Sequence, residues 1–173
     1  MSEKNPMDKA FAALLNDDDA KALEALATIQ QRGDASSIIP LLRVLASTDN
    51  HTRQRRIKAL LFDVKVKGAA AELGRALDMP DLQAVRETVI AAFWNSELDA
   101  LPYLDRLVQI AMEGTTQETI EVLTLIENQH TIPESVVRKS LAVLANASAR
   151  DPYRQALLDD VIGHLRERLE GMA

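Results

Sequence analysis

Three histidines, His51, His130 and His164, have the widest chemical range of any side chains in this chain, and they stand far apart. None begins an H-x-x-x-H or H-E-x-x-H spacing, which is what sets two imidazoles on one helical face within reach of a single ion. The 173 residues include no cysteine, which excludes disulfides, thiolate zinc sites and cysteine nucleophiles. Carboxylates crowd at Asp17-Asp18-Asp19 and at Asp159-Asp160, a pattern that can serve acid–base work or hold a cation. The triplet falls in a connection between helices, where negative charge meets the positive end of the next helix dipole, so it reads as a cap. No serine stands in an arguable triad and no glycine-rich phosphate loop occurs. The expectation is a chain that is not an enzyme and holds no metal or cofactor.

A different pattern suggests binding. Arg55, Lys58, Phe62 and Lys65 fall at i, i+3, i+7 and i+10, a basic strip carrying one aromatic ring if the segment is helical. Thirty-two residues on, Glu87, Ile90, Trp94 and Glu97 repeat the spacing with acidic ends, and Glu127 follows Trp94 at the next step. An aromatic ring ringed by charge is a common interface anchor, because its rigid area carries binding energy while the charged rim sets specificity. These eight residues are the candidate partner-binding set. The alternative is that Phe62 and Trp94 seal the edge of the core.

The elements that position these residues recur. One apolar helix-pair pattern returns at Leu45, Leu77, Ile110 and Leu144, at steps of 32, 33 and 34 residues. Such a period marks helix pairs that cannot bury their own apolar faces and must stack on neighbours. Ile57, Leu60 and Leu61 align with Val89, Ala92 and Phe93, and these with Val122, Leu125 and Ile126, each an i, i+3, i+4 core stripe. Helix starts are signalled by Thr115 with Glu118, by Thr131 with Glu134, and by Asp151-Pro152. Gly33-Asp34, Lys67-Gly68 and Gly114 mark stops. The spacing predicts ten helices in five pairs, 6–15 with 19–32, 35–47 with 51–66, 69–78 with 82–95, 99–113 with 116–129, and 133–147 with 152–170. All belong to one domain spanning residues 1–173, an all-α stack.

Composition agrees with that architecture. Apolar residues make up 47% and aromatics only 3%, so the core is built from Ala, Leu, Ile and Val, which suits close helix packing. The amino terminus lacks the basic start and apolar run of a secretory signal, and charges interrupt every helix before the ~20 apolar residues a membrane span needs. A cytoplasmic protein is expected. The net charge of −6 opposes general nucleic-acid binding but conceals a split. Residues 53–75 hold seven bases against Asp63 and Glu72, while residues 78–134 hold eleven acids against Arg86 and Arg106.

The tetratricopeptide and ankyrin signatures are absent. The segment from Asp81 to Phe93, D-L-Q-A-V-R-E-T-V-I-A-A-F, resembles the D-x-x-x-V-R-x-x-A-x-x-A-L second helix of the HEAT-repeat family in its short bacterial form. That resemblance implies a right-handed α-solenoid of about five antiparallel helix pairs whose second helices line a concave surface. It also implies a polar ladder in which Asp81 and Arg86 take part. The ladder is incomplete, since Asp49 is followed by Gln54 and the next unit offers Gly114 and Thr119. The function implied is a non-catalytic scaffold binding a protein or peptide in the groove. Two other HEAT-like classes stay open, alkylpurine DNA glycosylases that cradle a duplex and bilin-lyase-like proteins, whereas the HEAT-like hydroxylases need His-Glu pairs that this chain lacks.

Overall fold

The computed structural model describes residues 6–15 and 18–171, Asp19 by its backbone only, so Asp17 lies outside the described residues. Among the described residues the chain is all helix, with no strand. The helices are α1 (Pro6–Leu14), α2 (Asp19–Arg32), α3 (Ile38–Ser47), α4 (His51–Phe62), α5 (Ala69–Ala76), α6 (Arg86–Asn95), α7 (Leu104–Glu113), α8 (Thr116–Asn128), α9 (Glu134–Val143) and α10 (Pro152–Glu170). Short 3-10 turns at Ala35–Ser37, Pro80–Val85 and Leu101–Tyr103 lead into α3, α6 and α7, and Leu144–Asn146 follows α9. None of the described helices is long and apolar enough to cross a membrane.

Local chemistry accounts for most of these boundaries. Asp18, Asn50 and Asp151 accept first-turn backbone N–H groups at the starts of α2, α4 and α10. Thr115 and Glu118 form the reciprocal capping box of α8, with Thr115 N–H donating to the Glu118 carboxylate at 2.7 Å. Gly33 and Gly114 close α2 and α7.

Three departures from the sequence expectation have a local physical reason. Thr131 caps nothing, because the residue preceding a proline is pushed out of the helical region and α9 starts only after Pro133. Ile132 and Val137, both fully buried, hold the staple positions there instead. α4 stops at Phe62 rather than 66, short of the β-branched Val64 and Val66 and of Gly68, whose left-handed φ of 89° makes it the cap of α5. The expected helix 82–95 is interrupted at Val85, with φ −121° and ψ 12°, so that Asp81 lies on the 3-10 turn and Arg86 begins α6.

Contacts gather into two compact units that divide between Ser96 and Glu97. In the first, α1, α3 and α5 pack in succession as one layer, and α2, α4 and α6 as the other. In the second, α7 packs on α9 and α8 on α10. The aligned stripe is core in both units: Ile57, Val89 and Val122 are fully buried, as are Leu61, Phe93 and Ile126, whereas Leu60 is half-buried. Each such side chain contributes about 1.5–3 kcal/mol by leaving water.

A recurrent arrangement ties neighbouring hairpins. The last carbonyls of a helix have no partner in their own helix. At the third residue of α4, Arg53 donates to the Leu14 carbonyl ending α1, at 2.9 Å. At the same position of α10, Arg154 donates to Ala111 and Met112 carbonyls in the last turn of α7, at 2.9 and 2.7 Å. One residue further along, Gln54 donates to the Thr48 carbonyl and Thr119 to the Ala111 carbonyl, closing each hairpin on itself. Second helices are treated likewise, Ser96 donating to the Leu61 carbonyl and Arg168 to the Ile126 carbonyl. Gln54 and Thr119, which stand where the ladder arginine would recur, thus serve as caps, and Asp81 pairs with Arg43 of α3 at 2.8 Å.

Replacing Arg154 by Met keeps the apolar stem but removes two charge-assisted hydrogen bonds, and should lower stability in urea unfolding by about 1.5–3 kcal/mol. Arg150→Met, at an exposed neighbouring position, should stay within about 0.5 kcal/mol of wild type. The Asp81 carboxyl is held below the ordinary carboxylate range, chiefly by the hydrogen bond from Arg43. A depressed folded pKa gives stability that is present above the unfolded value and lost as pH falls through the folded one. The difference in urea midpoint between wild type and Asp81→Asn should therefore hold steady near neutrality and shrink as pH drops below about 3.9.

Candidate functional site

The candidate strip spans two neighbouring second helices of the first unit, α4 and α6, which pack side by side. There the two charged patterns meet each other. Lys58 Nζ lies 3.7 Å from Glu87 Oε1, with both side chains 40% exposed, so one cation of the basic strip is paired with one carboxylate of the acidic strip across the helix junction. Ile90 is 0% exposed and belongs to the core, which corrects its assignment to a groove face. The reason lies in α6 itself: Thr88 to Phe93 are all buried, so this helix has no outward stripe at that level. Phe62 and Trp94 are half-buried near the ends of α4 and α6, neither displayed as a free ring nor sealed in the interior.

Two further residues leave the face assigned to them. Lys65 is exposed in the connection after α4 rather than on its last turn. Glu97 follows α6, exposed, with a left-handed φ of 54° that costs a non-glycine residue about 1–2 kcal/mol. Arg55 remains where the spacing put it, on the exposed face of α4.

The seven bases of residues 53–75 divide cleanly by use. Arg53 caps α1, Lys58 meets Glu87, and Arg75 pairs with Glu72 at 2.8 Å. Arg55, Arg56, Lys65 and Lys67 are exposed and make no hydrogen bond or ion pair with the described residues. A cleft at the α4–α6 junction is polar, lined in part by Thr48, Asp49, Gln54, Lys58 and Glu87.

The neighbouring junction, between α2 and α4, has a different character. Leu23, Leu26, Ala27, Ala59 and Leu60 floor a groove of about 470 Å³, with Gln30, Arg56 and Asp63 at its rim. Leu23 is 38% exposed, a leucine standing outside the buried Ala22, Leu26 and Ile29 stripe of its own helix. A second cleft, about 110 Å³, shares Gln30, Leu60 and Asp63 with that groove and continues to Val64, Lys65 and Val66. The sequence reading missed Leu23 and Arg56. Their signal was present in the sequence, an extra leucine off the apolar stripe of α2 and an arginine next to Arg55.

Among the described residues no three His, Asp or Glu side chains gather as metal ligands would. His51 contacts Gln54 at 3.2 Å within α4, and His164 of α10 lies 3.2 Å from Glu127 and 3.7 Å from Glu167.

Ile90→Ala should destabilise by about 2–5 kcal/mol in chemical denaturation, as a core truncation does. Lys58→Gln and Glu87→Gln should each stay within about 1 kcal/mol, because the pair is exposed to solvent screening. The reverse order would return Ile90 to the surface. No protein-family model, curated protein or solved structure matches this chain significantly, so the functional reading rests on the geometry.

Proposed function

We propose that the chain is a non-catalytic interaction module of HEAT-like type, a right-handed solenoid that holds a protein or peptide partner on the face of its second helices. The single observation that carries this reading is the unspent charge beside α4: four cations stand exposed, with no partner among the described residues, next to a groove floored by Leu and Ala. Positive charge needed for the fold is already accounted for by Arg53, Lys58 and Arg75. Apolar surface rimmed by unneutralised charge is how interfaces are composed, the floor supplying affinity and the rim steering and orienting the partner.

The layering within each unit, first helices on first and second on second, supports the solenoid. It leaves an exposed face on the second helix α4, at Arg55, Arg56 and Ala59, and second helices are where repeat proteins of this kind bind. The Lys58–Glu87 pair weighs against a nucleic-acid cradle, since it removes a cation from the strip and holds a carboxylate where phosphate would pass.

A photo-crosslinking amino acid placed at Ala59 of the full chain, irradiated in its source cells, should give a discrete protein adduct. The same probe at Ala142, an exposed residue of α9, should give none. Adducts to nucleic acid alone, or no adduct from position 59, would contradict the proposal.

A further inference from the structure

We infer that the groove between α2 and α4 takes an acidic amphipathic segment of the partner protein, apolar side chains down on its leucine floor and carboxylates out on the cations at its two ends. This rests on the reading of the chain as an interaction module and specifies the chemistry of what it binds.

The floor sets the apolar half of that description. Leu23 and Leu60 come from facing helices, while Ala27 and Ala59 are small enough to leave the space between them open. A volume of about 470 Å³ lies in the range of ordinary binding sites. It accommodates a few anchoring side chains of an amphipathic segment, with the rest of that segment riding above the helices. At the α4–α6 junction a lysine and a glutamate span the equivalent space, and the cleft there is predominantly polar.

The rim sets the charge. Arg56 lines the groove and Arg55 stands beside it on the exposed face of α4, while Lys65 lines the continuing cleft and Lys67 follows it. All four lack partners among the described residues. Asp63 is the one acid lining either cleft besides Asp34, and it belongs to both. The preferred ligand therefore carries acids towards both ends and a donor or base near its middle. A peptide fits this better than a nucleic acid does, because leucines give a sugar-phosphate chain nothing to stack on and neither cleft is lined by an aromatic ring.

The test is an unbiased selection. A display library of random 16-residue peptides is panned against the full chain and, in parallel, against the Arg55→Glu/Arg56→Glu variant. Both substitutions sit at exposed positions, and unchanged urea midpoints would show the variant folded. Wild type should enrich peptides rich in Asp and Glu with apolar residues three or four apart, and the variant should lose that acidic excess. The best peptide should bind the variant at least tenfold more weakly by fluorescence anisotropy. It should bind Ala59→Trp, which fills the groove, at least tenfold more weakly as well. If Ala59→Trp fails to fold, the charge-reversal pair decides alone.

Selected peptides with no acidic excess, or affinity indifferent to the charge reversal, would overturn the inference. So would displacement of the peptide by a twenty-residue oligothymidylate at lower concentration. A protein adduct from position 59 together with any of those results would leave the interaction module standing and remove only its acidic ligand. No adduct and no selected peptide would remove both.

Discussion

Helix ends govern this structure. Each helix finishes with carbonyls that its own hydrogen bonding cannot reach, and stacking short helices in two layers brings many such ends against neighbouring elements rather than open water. The chain answers with donors borrowed from the next hairpin or the next helix: Arg53 and Arg154 to the ends of α1 and α7, Ser96 and Arg168 to the ends of α4 and α8. Aliphatic stripes supply the bulk of the stabilisation, but they are indifferent to sliding along the helix axis. A directed bond from a fixed side chain to a particular carbonyl sets the register in which the stripes meet.

That structural use of charge separates what the fold consumes from what it leaves over. In the first unit the basic segment around α4 spends three of its seven bases internally and leaves four on the surface, beside the one second-helix junction there that small residues keep open. At the other junction charge is satisfied by charge, which fixes α4 against α6 and offers a visitor little. The contrast between the two junctions comes down to side-chain size and pairing. Ala27 and Ala59 cannot reach across, whereas Lys58 and Glu87 can.

Most of the fold was legible in the sequence because its signals are local. The caps at Asp18, Thr115 and Asp151 act through side chains within three residues of the backbone they satisfy, and the core stripe repeats at a spacing that needs no partner to be seen. Failures came where a second element decides. Thr131 had the right residue types for a capping box but the intervening Ile132-Pro133 moved the helix start. Ile90 shares a helical spacing with Glu87 and Trp94, yet burial on both sides of α6 overrides that spacing. Lys65 needed the helix to persist beyond Phe62. The roles of Arg53 and Arg154 depend on carbonyls 39 to 43 residues away, and no local pattern announces them.

Native-state hydrogen exchange tests most directly whether neighbouring hairpins share one core and one register. In the full chain, the amides around Ile57 and Leu61 of α4 and those around Val89 and Phe93 of α6 should open together, with a common free energy close to that of global unfolding. Opening of the α3–α4 hairpin by itself, at a free energy well below that of α6, would contradict the account, because it would mean that the stripes and helix-end bonds between those hairpins do not couple them.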